Sequence, residues 1–209
     1  MNSAMEQQLV FAGAGHTHLY ALARLEAYRR RNVAVTVISR GPYWYSGMAP
    51  GLLSGIYSPE EDCVPIRPLV EGQGCTYIRA EIVGIDAEAQ QVHLDGGRTV
   101  HYDVLSLNLG SRVPLERLPG AEQKACPVKP MRNFLSLREH ITETCRERKC
   151  RVLVVGGGAA GCETTANAYR LLTSVASASS GVAWANLGPA FDLMLFSASA
   201  RLLPKHSPK

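Results

Sequence analysis

The chain has 209 residues, 46% hydrophobic and 19% charged, with a net charge of +4, which suits one large or two small domains with a real core. That mild charge, and a basic run (Arg29-Arg30-Arg31) with no aromatic interleaving at an expected helix end, argue against nucleic-acid binding. No run of 18 uncharged apolar residues, no signal-peptide pattern and no metal-ligand spacing among six cysteines and six histidines occurs, so the expectation is a cytoplasmic protein with reduced thiols, no metal and no membrane span.

Leu9-Val10-Phe11-Ala12 is short, apolar and uncharged, and residues 8–13 are expected to form a strand. Gly13-Ala14-Gly15 follows. From Thr17 to Arg31 apolar residues recur at helical spacing, with Asn32 as the stop. Strand, glycine turn and helix N-terminus in that order form a cradle for a dinucleotide pyrophosphate. His18 stands where the third glycine of the fingerprint would be. It is either a helix-packing residue or part of the ligand site. Residues 33–38 are β-branched and read as a second, parallel strand, completing a βαβ unit of about 30 residues.

The end of that strand commonly carries an acid for a ribose hydroxyl; here it carries Ser39 and Arg40. Ser39 can still bond a ribose. Arg40 can meet a 2′-phosphate, flank the pyrophosphate or lie in solvent. Residues 41–57, GPYWYSGMAPGLLSGIY, are too apolar for a solvent loop and too broken for a long helix. They suit backbone packed against a flat ligand ring, or a buried irregular connection. Ser58 and Pro59 start a helix as N-cap and first residue.

Residues 76–85 alternate like a strand, and 91–94 and 99–102 pair across Asp95-Gly96-Gly97, so a three-stranded meander is expected. Residues 104–109 are a buried strand ending at Gly110, residues 112–130 with their four prolines a connector, and 134–149 an amphipathic helix.

A second and complete fingerprint follows. Residues 151–155 are an apolar strand, Gly156, Gly158 and Gly161 fill GxGxxG, and Glu163 stands two residues on, with helical spacing continuing to Leu172. Residues 174–188, rich in Ala and Ser, read as a surface insertion before a strand at 191–196. Ser197 takes the acid's position there and Arg201 follows, which leaves room for NADPH.

Two fingerprints about 140 residues apart, with a meander between them, resemble the two-dinucleotide pyridine nucleotide-disulfide oxidoreductases. The motifs carrying the resemblance are Gly13-x-Gly15, Tyr102-Asp103 before the strand closing at Gly110, Gly156 to Glu163, and Arg201-Leu202-Leu203-Pro204. Residues 13–18 with Tyr45-Ser46-Gly47-Met48-Ala49-Pro50-Gly51 are similar to the NADH-dehydrogenase-like branch, some members of which are fused to selenide, water dikinase. The resemblance implies an α/β fold of two Rossmann-like units, the first with an inserted meander and the second incomplete. It divides the chain into an FAD-binding part (1–112), a connector and helix (113–149) and the start of an NAD(P)-binding domain (150–209).

It also implies that Gly13 and Gly15 hold the FAD pyrophosphate and that Gly110 closes the site. Ser39 and Arg40 would lie near the adenosine ribose, Ile82 near the adenine, and Met48 and Pro50 near the isoalloxazine. His18 belongs to the same set of cofactor residues. Gly156, Gly158, Gly161 and Ser197 would serve NAD(P)H, with Glu163 near the nicotinamide–flavin contact.

Disulfide reductases of this group carry a cysteine pair after the second strand, but residues 41–62 contain no cysteine. Cys145 and Cys150 have the right gap in the wrong place; on one helix they would point about 140° apart, and they are read as structural. Hydride transfer from NAD(P)H to FAD and on to an acceptor such as a quinone remains. Glu163 would position a ribose or help move a proton, or is simply favoured by the helix dipole. The other readings are a sulfide:quinone-type enzyme using Cys126 and Cys162, and a non-catalytic nucleotide-binding module. After Pro204 such a domain would have about three more strands. The chain therefore reads as truncated, is expected to bind FAD poorly alone, and would make any peripheral membrane contact through the missing part.

Overall fold

Residues Gln7–Ala12 form β1, whose central side chains alternate between two buried faces of a sheet. In the computed structural model, which describes residues 7–178 and 191–204, the chain continues through α1 (His16–Leu22), α2 (Glu26–Arg29), β2 (Val33–Ile38) and β3 (Tyr43–Trp44). Then follow α3 (Ala49–Ser54), α4 (Pro59–Asp62), β4 (Cys63–Val64), α5 (Ile66–Glu71), β5 (Thr76–Ile78), β6 (Ile82–Asp86), β7 (Gln91–Leu94), β8 (Thr99–His101) and β9 (Val104–Leu107). The last elements are α6 (Ala121–Lys124), α7 (Asn133–Glu147), β10 (Cys150–Val155), α8 (Ala159–Ala178) and β11 (Phe191–Phe196). Two compact units result, one from the N-terminus to Tyr43 plus Cys63–Ser111, the other from Trp44–Asp62 plus the chain from Arg112.

The first unit has three layers around a parallel sheet in the order β5-β2-β1-β9. On one face Phe11, Val35 and Val37 pack with Leu22, Leu25, Ile66 and Val70 of the helical side. On the other face Val10, Ile38 and Ile78 pack with Val92, Leu94 and Tyr102 of the antiparallel β6-β7-β8 meander. Both faces are thus covered over β1 and β2, whereas β9, expected as a buried strand over 104–109, ends at Leu107 and runs along the sheet edge with Val104 and Leu107 exposed.

Two further expectations change here. Residues 76–85 are not one strand: 76–78 join the parallel sheet beside β2, and the meander begins at Ile82. Ile78 and Ile82 pack into the same cluster from the two layers, so alternation survives the break and hides it. The helix expected over 17–31 is interrupted at residues 23–25, where Arg24 N–H and Ala27 N–H donate three residues back, to Ala21 O and Arg24 O. The tighter turn keeps Leu22 and Leu25 on the buried face. Asn32, at φ 59°, ends the segment.

In the second unit α3, α7 and α8 share one core, made by Leu52 and Leu53, Phe134 and Ile141, and Ala168, Leu171 and Leu172. This groups residues 44–62 with the chain from 112, rather than with the residues that flank them in sequence. Ser54 Oγ donates to Asn167 Oδ1 at 2.6 Å. Ser58 caps α4 reciprocally: its N–H donates to Glu61 Oε2 at 2.8 Å and its Oγ receives the Glu61 N–H. β10 and β11 pair in parallel. The insertion expected at 174–188 begins later, because α8 runs to Ala178 with Val175 buried; the rest of it lies outside the described residues. Cys150 is not on a helix with Cys145. α7 ends at Glu147 and Cys150 opens β10, and both residues are buried in one core.

Candidate functional site

Both glycine turns are built alike. At the end of β1, Gly13 takes φ 88° and its N–H donates to Ile38 O, the last residue of β2, at 2.8 Å. At the end of β10, Gly156 takes φ 129° and its N–H donates to Phe196 O, the last residue of β11, at 2.8 Å. In each, a glycine in a backbone region that side chains avoid reverses the chain off the strand and delivers it to a helix start.

At the first turn the neighbouring strand presses close. A Cβ on Gly13 would meet the Asn108 backbone oxygen, and one on Gly15 the Asn108 side chain. Asn108 lies just past β9, with its N–H on Ala12 O at 2.8 Å and its Nδ2 buried without a hydrogen-bond partner. Sequence reading named Gly110 and missed Asn108; its signal was its place directly after the last residue of β9, Leu107. Gly110 itself, at φ 80°, has open space around it. His18 is 5% exposed, and both ring nitrogens are engaged by the protein: Nδ1 with Gly13 O at 2.7 Å and Nε2 with Ser106 Oγ at 2.9 Å. It packs beneath the turn, with its ring spent on contacts within the protein.

The end of β2 gathers the adenosine-side candidates. Ser39 Oγ donates to Gly41 O at 3.0 Å. Arg40 pairs with Glu81 at 3.2 Å, both side chains largely exposed, and Glu81 adjoins Ile82, which lies half-buried on β6. Glu81, which follows the neighbouring strand β5, thus places a carboxylate beside Arg40 at the end of β2.

Met48 and Pro50 lie in the second unit at the start of α3. Pro50 is buried and Met48 half-buried. The turn before α3 is held by Asp62, whose Oδ1 accepts the Tyr45 N–H at 3.0 Å while Oδ2 is buried without a partner. Burial raises the Asp62 pKa above its ordinary 3.8, against a smaller lowering by the Tyr45 hydrogen bond. The unfolded chain therefore ionises first. Stability is lost as pH rises from 3.8 through the raised folded value, and this group adds no further change above that. Thermal unfolding followed from about pH 3.5 to about pH 7 will show this downward step in the wild type and not in Asp62→Asn; superimposable profiles would refute it.

At the second turn a Cβ on Gly161 would strike Gly156 O, while Gly158 has open space. Ser197 Oγ accepts the Ser199 N–H at 3.1 Å and abuts Gly157, and the Leu203 N–H donates to Gly157 O at 2.8 Å. The stretch after β11 thereby folds back onto the turn. Glu163 is exposed, has no ion pair among the described residues, and is the fifth residue of α8, beyond the first turn. The dipole explanation weakens accordingly. Cys162 Sγ lies 3.9 Å from Gly157 O. The described residues contain no His/Cys/Asp/Glu group fit for a metal ion, and no helix among them is long and apolar enough to cross a membrane.

Residues 7–206 match the family model for pyridine nucleotide-disulphide oxidoreductases. The chain is 27% identical over 194 residues to the external alternative NAD(P)H-ubiquinone oxidoreductase B4, mitochondrial, of Arabidopsis thaliana, covering 82% of this chain and 33% of that one. It is 24% identical over 161 residues to the type II NADH:quinone oxidoreductase of Staphylococcus saprophyticus, covering 72% and 40%. Among solved structures it resembles NDH2 of Plasmodium falciparum in complex with NADH, with a TM-score of 0.73 at 18% identity over 97% of this chain and 44% of that one. A putidaredoxin reductase–putidaredoxin complex gives 0.71 at 19% over 98% and 45%. The chain spans between a third and a half of the length of these four proteins.

Proposed function

The chain belongs to the pyridine nucleotide-disulphide oxidoreductase family, a family of α/β oxidoreductases, and from that we propose that it carries the sites of an NAD(P)H dehydrogenase, with FAD at the first glycine turn and NAD(P)H at the second. One observation carries this reading: two separate strand–glycine–helix turns of the same construction, each glycine bonded to the end of the next parallel strand. The first turn also fits a bound anion, because Asn108 Nδ2 is a buried donor left over beside Gly15.

Gly13 and Gly15 would let the backbone approach the FAD pyrophosphate, and Ser39 with the Arg40–Glu81 pair would flank its adenosine ribose. Gly156, Gly158 and Gly161 would receive the nicotinamide dinucleotide, with Ser197 at its ribose. Bound FAD would supply hydride acceptance from NAD(P)H and onward electron transfer, to a quinone in the acceptor class that the curated relatives suggest. A redox-active disulfide is not part of the reading. Burial and the adjacent Cys150 push the Cys145 thiol up to about 12, the opposite of the low-pKa thiolate such chemistry uses.

The test is a visible spectrum of the protein titrated with FAD, followed by NADH and then a short-chain quinone. Weak flavin binding is expected, with the bands of the bound fraction bleached by NADH and restored by quinone. Glu163→Ala should lower the NADH-dependent rate by about a hundredfold or more, the scale of a lost proton-handling group. Undiminished turnover would remove Glu163 from the site.

A further inference from the structure

The first fingerprint lacks its third glycine, and what replaces it does specific work. A carbonyl oxygen only accepts hydrogen bonds, so the contact with Gly13 O at 2.7 Å requires the proton on Nδ1 of His18. In the neutral ring, Nε2 then accepts from the Ser106 hydroxyl at 2.9 Å. Phe11 meets the imidazole edge to face, with centroids 4.9 Å apart, and Ser106 pairs with Phe11 across β1 and β9. The ring is therefore fixed on three sides, by the glycine turn, β9 and β1.

The consequence lies in the peptide that the ring holds. A trans peptide places its C=O and N–H on opposite sides. Anchoring Gly13 C=O on the His18 side turns the Ala14 N–H the other way. A glycine at position 18 would leave the Gly13 carbonyl without this donor and the peptide freer to rotate, the more so because Gly13 is itself a glycine at φ 88°.

We propose that His18 is a positioning residue for the cofactor: it clasps Gly13 to Ser106 of β9 in place of the third glycine and so presents the Ala14 N–H to the FAD pyrophosphate. The inference rests on FAD occupying the first turn.

Two measurements on the full chain test it. Nitrogen-15 NMR of the imidazole should show His18 as the Nδ1–H tautomer, before any FAD is added. FAD titration should then give a dissociation constant raised at least about tenfold in His18→Phe, the effect of a misdirected charge-facing donor. In His18→Asn, whose amide sits where Nδ1 sits and keeps a donor for Gly13 O, it should stay within about threefold. Both variants lose the Ser106 bond, so a role limited to that bond would weaken them equally. Equal weakening, no weakening in His18→Phe, or an Nε2–H tautomer would overturn the proposal. A wild-type chain that shows the Nδ1–H tautomer yet binds no FAD would overturn the functional reading and the phosphate role with it. An Nε2–H tautomer beside tight FAD binding would overturn the role of His18 alone.

Discussion

Gly161→Val will destabilise the second unit by about 3 kcal/mol or more, at the upper end of overpacking costs. Residue 161 lies in the first turn of α8, where replacing glycine by a better helix former normally gains up to about 1 kcal/mol. That gain is outweighed. The new Cβ would be driven into the Gly156 backbone oxygen, with the Gly156 carbonyl carbon 2.8 Å away. Neither atom belongs to a flexible side chain, and Gly156 is pinned by its N–H bond to Phe196 O. Relief requires α8 to lift off β10, which opens the core where Ala168, Leu171 and Leu172 meet Cys150. Thermal unfolding should show a midpoint lowered by roughly 6–12 °C for a chain of this size. Gly158→Ala, a substitution into open space, is the control and should move it little. A midpoint for Gly161→Val within about 2 °C of wild type would mean that the glycine turn and helix are not packed as described.

The contrast between positions 161 and 18 shows what sequence could and could not disclose. Gly161 was legible because its reason is local: the helix start and the strand end it touches are five residues apart in the chain. The same holds for β1 and β2, whose apolar runs announce buried parallel strands, and for Ser58 and Pro59, which announce the start of α4. His18 was not legible, because its reason is Ser106, 88 residues away. Glu81 reaches Arg40 across 41 residues, and Asn108 reaches Gly15 from the far edge of the sheet. Cys145 and Cys150 misled in the opposite sense, since a helical reading separated two thiols that a helix end brings together. Periodicity also failed where two layers share one cluster, as with Ile78 and Ile82. In every such case the missing information is a tertiary neighbour, which no local spacing encodes.

Gly13→Ala should be the most damaging single methyl group in the first unit. Two costs combine. A side chain at φ 88° carries about 1–3 kcal/mol of backbone strain. The added Cβ meets the Asn108 backbone oxygen, with the Asn108 carbonyl carbon at 2.6 Å and Leu109 Cα at 3.0 Å, which adds about 1–3 kcal/mol of overpacking. Gly110→Ala separates the two, because Gly110 sits at φ 80° with nothing within 4 Å of its would-be Cβ. It should cost the strain alone. Urea unfolding is therefore expected to order the proteins as wild type, then Gly110→Ala, then Gly13→Ala, with the last about 2–6 kcal/mol below the first. The Gly13 carbonyl is also the group that His18 holds at 2.7 Å, so any shift of β9 away from the new methyl pulls on Ser106 and loosens the clasp. FAD affinity should accordingly fall by more than the tenfold expected of His18→Phe, since the donor geometry and the close approach of backbone to phosphate are lost together. Equal stability for Gly13→Ala and Gly110→Ala would show that β9 yields to the methyl group at no cost, and FAD binding unchanged in Gly13→Ala would move the cofactor away from the first turn altogether.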